Sequence, residues 1–68
     1  FSDRRLKKDY GVVGRTDDGI NLHVFKYKGE DDRDPLRLGV MADEVEKVKP
    51  WAVKTHSSGY RVVDYARI

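Results

Sequence analysis

Sixty-eight residues bound the chain to one small domain (residues 1–68). A domain this size buries only about 60% of its unfolded surface, so its stability needs support beyond the core. There is no cysteine, which excludes disulfides, and His23 and His56 stand too far apart to form a ligand motif, so no metal or cofactor is expected. Self-association is the support that remains. Charged residues make up 38% of the chain, yet the net charge is only +2, with acids and bases interleaved except at the N-terminus. That is too weak a stripe for a nucleic-acid footprint. No apolar run approaches the roughly 20 residues that span a membrane, so neither nucleic acid nor membrane is expected as a partner.

In chain order, residues 3–8 are too charged to be core, with Leu6 the one large apolar side chain among them. Tyr10, Val12 and Val13, bracketed by Gly11 and Gly14, predict a short irregular strand. Thr16-Asp17-Asp18-Gly19 is a strong turn signal, because Asp-Gly favours a tight hairpin connection. Ile20 to Lys28 reads as the best strand, with Leu22 and Val24 on one face and His23, Phe25 and Tyr27 on the other. A polar loop over 29–35 follows, then a strand over 36–41 in which Gly39 suggests close approach of another backbone.

Ala42 to Lys49 predicts a two-turn helix, with Asp43 and Glu44 in its first turn and Lys47 and Lys49 in its last. Met41, Val45 and Val48 share a face that would be buried. Pro50 stops the helix. Trp51-Ala52-Val53 could open a strand, Thr55 to Gly59 is a turn, and Tyr60 to Tyr65 reads as a last strand. Trp51 and Tyr65 are expected in the core or in subunit contacts, and His23 as a packed structural histidine. The predicted class is α+β: a small, mostly antiparallel β-sheet with one short helix packed on it.

One pair of residues has chemical potential. Ser2 precedes Lys7 by five positions, and a hydroxyl beside a neutral amine is the minimal equipment for nucleophilic peptide cleavage. A lysine at its ordinary pKa of about 10.4 is protonated at neutral pH and cannot act as a base. Like charge from Arg4, Arg5 and Lys8, together with burial at a subunit interface, would lower that value. The spacing of five separates the two side chains on either a regular strand or a helix. Either the segment turns between them, or Ser2 of one chain meets Lys7 of a neighbour.

Three separated motifs give the pair a context: Ser2-Asp3-Arg4-Arg5-Leu6-Lys7, Leu38-Gly39-Val40-Met41-Ala42-Asp43-Glu44-Val45-Glu46, and Val63-Asp64-Tyr65-Ala66-Arg67-Ile68. In this order they resemble the S74 peptidase domain, the C-terminal intramolecular chaperone of phage tail spikes, tail fibres and endosialidases. The resemblance implies a homotrimer whose partner is its own upstream fibre chain. It would guide assembly of a tail-fibre or tail-spike precursor in the host cytoplasm and then release itself. Carried over by position, Ser2 is the nucleophile, Lys7 its general base, and Phe1–Ser2 the bond cut, which makes the domain a single-turnover self-cleaving serine endopeptidase.

In a supporting role, Gly39 and the helix start at Ala42-Asp43-Glu44 could place N–H groups or a carboxylate near the scissile carbonyl, and Glu44 could orient Lys7 or an arginine. Arg4 and Arg5 are expected to be solvated or paired with Asp9 or Glu44. Asp43 stands where the family commonly has Gln. Most family members run on past the Val-Asp-Tyr motif into a long coiled-coil helix, so the natural chain either extends beyond Ile68 or is a minimal version. A self-cleaved product begins with the serine, so a chain that retains Phe1 is either uncut or arbitrarily bounded. The alternative reading is a trimerisation or attachment module that keeps the fold without the cleavage.

Overall fold

The computed structural model describes all 68 residues. Strand β1 (Lys7–Arg15) pairs antiparallel with β2 (Asn21–Tyr27), and β2 pairs antiparallel with β3 (Arg37–Gly39). Helix α1 (Ala42–Val48) follows, and then an antiparallel hairpin of β4 (Val53–Thr55) and β5 (Arg61–Val63) forms a separate two-stranded sheet. Single 3-10 turns occupy Arg4–Leu6, Pro50–Ala52 and Tyr65–Arg67. The antiparallel α+β expectation therefore holds, with two small sheets in place of one.

The Asp-Gly signal makes the β1–β2 connection. Gly19 takes φ +86°, and Thr16 receives the chain back through its backbone N–H to Ile20 O (2.9 Å) and its hydroxyl from Ile20 N (3.1 Å). β1 is longer than predicted and starts at Lys7. It carries two bulges, one between Asp9 and Gly11 and one between Val12 and Gly14. At the first, the Asp9 carboxylate accepts from Gly11 N (2.8 Å), and Gly11 takes φ +126°, which a side chain would resist. Each bulge moves the pairing on by one residue, so Lys7 faces Tyr27.

The core lies between α1 and the hairpin. Ile20, Val40, Ala42, Val45, Ala52 and Val63 form one buried cluster, with Leu22, Val53 and Ile68 packed against it. Several predictions need correcting. Leu38 is paired but exposed, and Val40 and Met41 leave the ladder for the interior. Val48 lies on the Met41–Val45 stripe, but at the end of a seven-residue helix it falls outside the core and is exposed. Trp51 sits in a 3-10 turn and Tyr65 in another, both exposed, so neither is core. The last strand ends at Val63, because Asp64 caps Ala66 N (3.1 Å) and starts that final turn.

The largest correction concerns residues 3–8. Asp3 and Lys7 are buried despite their charge, as is Ser2 beside them. Burial of charge is tolerated only when partners replace water, and both groups have them.

Candidate functional site

The 3-10 turn at Arg4–Leu6 reverses the chain between Ser2 and Lys7. Asp3 caps it, accepting from Arg5 N (2.9 Å). The same oxygen also accepts from Arg5 Nε (3.0 Å), while Oδ2 accepts from Arg5 Nη2 (2.8 Å) and Arg61 N (2.9 Å). The Arg5 side-chain bonds, reinforced by the Arg61 and Arg5 backbone N–H groups, outweigh burial and hold the Asp3 carboxyl well below the usual carboxylate range.

Three distant elements clasp the Phe1–Ser2 peptide and its flank. Tyr27 Oη donates to Phe1 O (2.9 Å), from the end of β2. Ser2 N donates to Arg61 O (3.2 Å), in β5, and Ala42 N donates to Ser2 O (2.8 Å), at the start of α1. Phe1's ring meets His56 edge-on, with centroids 4.9 Å apart.

Lys7 points inward from β1. Its Nζ lies 4.0 Å from the Phe25 ring centroid and donates to Val40 O at 2.8 Å. Burial is what lowers its pKa, to about 8. The expected contribution of crowding arginines is absent, because carboxylates claim them. Arg4 pairs with Asp43 (3.2 Å), Glu44 (3.3 Å) and Asp9 (3.7 Å), and Arg5 pairs with Asp3 (2.8 Å).

Lys7 and Ser2 thus converge on the same short stretch, Lys7 at Val40 O and Ser2 at Ala42 N. Only Met41 separates those two anchors along the chain. No hydrogen bond joins Ser2 Oγ to Lys7 Nζ, whose donation goes to Val40.

The helix start does not aim its N–H groups at the Phe1 carbonyl. Ala42 N is taken by Ser2 O, and Glu44 N and Val45 N both donate to Met41 O. Glu44 accepts from Arg4 and lies 2.7 Å from His23 Nε2, while His23 Nδ1 lies 3.1 Å from both oxygens of Asp9. Burial opposes a charge on His23, yet Glu44 and Asp9 outweigh it and raise the pKa. His23 is therefore a buried strut between β1 and α1. Gly39 serves packing: a Cβ there would sit 2.7 Å from Tyr65 Oη and 3.0 Å from Phe25 Cε1. Tyr65 Oη in turn accepts from Val40 N at 3.2 Å, on the residue whose carbonyl holds Lys7.

Sequence reasoning missed Asp3 as a buried anchor, Arg61 as the partner of the Ser2 amide, and Tyr27 on the Phe1 carbonyl. The burial of the first and the register of the last depend on partners 20 or more residues away, which no local pattern announces.

The family model described as the chaperone of endosialidase, Peptidase_S74, matches residues 2–54. The chain belongs to that family. The match takes in Ser2, Lys7, Gly39 and Glu44, while Arg61 and Tyr65 of this S74 domain lie beyond the matched residues. No curated protein and no solved structure matches the chain.

Proposed function

We propose that this S74 domain is the C-terminal intramolecular chaperone of a trimeric tail fibre or tail spike. It guides three chains into register in the host cytoplasm and then detaches itself by cutting the Phe1–Ser2 bond. The observation that carries this reading is the state of Lys7: a buried amine with a pKa near 8, held by the same short stretch that anchors Ser2. A lysine so placed is available as a base near neutral pH.

The nucleophile belongs to the residue that follows the scissile carbonyl, which sets the chemistry. Ser2 Oγ gives its proton to the Lys7 amine and bonds to the Phe1 carbonyl carbon, closing a five-membered ring. The C–N bond then breaks, the Ser2 nitrogen takes a proton from the Lys7 ammonium, and Phe1 is left as an ester on Ser2 Oγ. Water hydrolyses the ester, giving a Phe1 carboxylate and a chain that begins with free Ser2. The neutral amine can keep one N–H on Val40 O while its lone pair faces the hydroxyl. The Arg4–Leu6 turn, which reverses the chain between Ser2 and Lys7, supports a dyad within one chain.

Exposed apolar side chains support assembly. Tyr10, Val12 and Val13 on β1, Leu36 and Leu38 at β3, and Trp51 and Tyr65 are all about half exposed or more, an unusual load for a 68-residue monomer. Release after assembly would convert equilibrium stability into a kinetic barrier, because the guiding domain is no longer attached.

The second reading, a non-cleaving trimerisation or attachment module, is favoured by one observation, the absence of a hydrogen bond between Ser2 Oγ and Lys7 Nζ. Mass spectrometry of a chain carrying its upstream residues separates the two. A fragment beginning at Ser2 that disappears in Ser2→Ala supports the peptidase, and an uncut trimer supports the module.

A further inference from the structure

The Tyr27 hydroxyl has a contact the dyad does not explain. Tyr27 stands directly across the β1–β2 ladder from Lys7, and its Oη donates to the Phe1 carbonyl oxygen at 2.9 Å. That oxygen is the atom on which negative charge would develop as Ser2 attacks. Donors that stabilise such charge sit 2.7–3.1 Å from the position the oxyanion takes, which a donor already bonded to the ground-state oxygen reaches as the carbonyl turns tetrahedral, and they matter most when in place before reaction.

We propose that Tyr27 is a catalytic residue of the self-cleavage, the donor that stabilises the oxyanion formed on the Phe1 carbonyl. The inference rests on the Phe1–Ser2 cleavage reading above and adds a residue to it. Tyr27 is half-buried, and its neighbours hold its ring and backbone in place. Its ring packs edge-on against Phe25, with centroids 5.3 Å apart, and Arg37 lies 5.0 Å over it. Its backbone N–H donates to Glu30 Oε1 at 2.7 Å, and Glu30 in turn pairs with Arg37 at 3.0 Å.

The charged and titratable groups facing the ring are Lys7 from β1, Arg37 from β3, Glu30 from the 29–35 loop and Tyr65 from the last turn. Burial raises the phenol's pKa above its usual 10, and Arg37 opposes that only in part. The hydroxyl therefore keeps its proton across the range in which Lys7 has already lost one. The same register carries both roles: one position of the ladder supplies the base and its partner supplies the donor.

The test measures self-cleavage of a chain that carries its upstream residues, across pH, in parent, Tyr27→Phe and 3,5-difluorotyrosine-27 forms. Tyr27→Phe is expected to cut about 10²–10³-fold more slowly while keeping the parent's folding and the Lys7-dependent rise with pH. The fluorinated side chain has nearly the same shape and a more acidic phenol. It is expected to add a falling limb at alkaline pH, where the phenolate can no longer donate. Should Tyr27→Phe fail to fold, the fluorinated form decides alone. Parent-like cutting in a folded Tyr27→Phe chain, or a fluorinated profile without the falling limb, overturns the proposal while leaving the dyad intact. A parent chain that never cuts before Ser2 overturns both.

Discussion

Lys7 donates to the carbonyl of Val40, 33 residues along the chain, at 2.8 Å, and this bond turns a surface-type side chain into a buried one. A lysine kept from water by Phe25 and paired with a neutral acceptor gains nothing from opposite charge, so burial shifts it toward the neutral form. Self-cleavage should accordingly rise with pH as the amine loses its proton. With a pKa near 8, the rate should climb about tenfold from pH 7 to a plateau above 9. Lys7→Met should abolish it at every pH. The check is a single-turnover rate profile read by gel or mass.

The turn at Arg4–Leu6 predicts that the dyad forms within one chain. Mixing Ser2→Ala and Lys7→Ala chains into hybrid trimers should then restore no cutting. Recovery of product beginning at Ser2 in the mixture would place the two residues on different chains.

Gly39 predicts a packing effect with a functional consequence. An alanine Cβ there would press on Tyr65 Oη and on Phe25, the ring beneath Lys7. Gly39→Ala should cost about 1–3 kcal/mol of stability and slow cleavage, since the Lys7 pocket must shift. Gly14→Ala is the control: its Cβ would meet Leu22 Cδ1 at an ordinary 3.6 Å. Denaturant midpoints and cleavage rates of the two variants compare directly.

His23, between Asp9 and Glu44, predicts a pH dependence of opposite sign to that of Lys7's chemistry. Its folded pKa is raised, so the folded state holds the proton longer than the unfolded chain does. The stabilisation is complete below the unfolded value of about 6.5 and is lost as pH rises through the raised folded value. Denaturant titration of the uncut Ser2→Ala chain should show stability declining as pH rises from 6.5, up to the range near 8 where Lys7, with its lowered pKa, begins to add stability instead. His23→Gln in the same background should remove that decline.

Much of the fold was legible because local signals carry it. Asp18-Gly19 named the hairpin, the acidic first turn and Pro50 bracketed the helix, and alternation marked β2. The site was legible only in part. Continued without bulges from Arg15↔Asn21, the ladder would set Lys7 against Gly29; two bulges bring it to Tyr27, and no count of residues shows that shift. The burial of Asp3 and Lys7 inside the single chain, with no neighbouring subunit, escaped for a related reason. Charge in a sequence reads as solvent exposure, and the partners that reverse this, Arg61 N and Val40 O, are backbone groups supplied from far along the chain.

The most direct measurement of the central claim is the intact mass and N-terminal residue of the product from a chain carrying its upstream residues. The account predicts a fragment that begins at Ser2, appears more slowly below pH 8, and is absent from Ser2→Ala. A folded trimer that stays whole at pH 9, or one cut at any other bond, would contradict it.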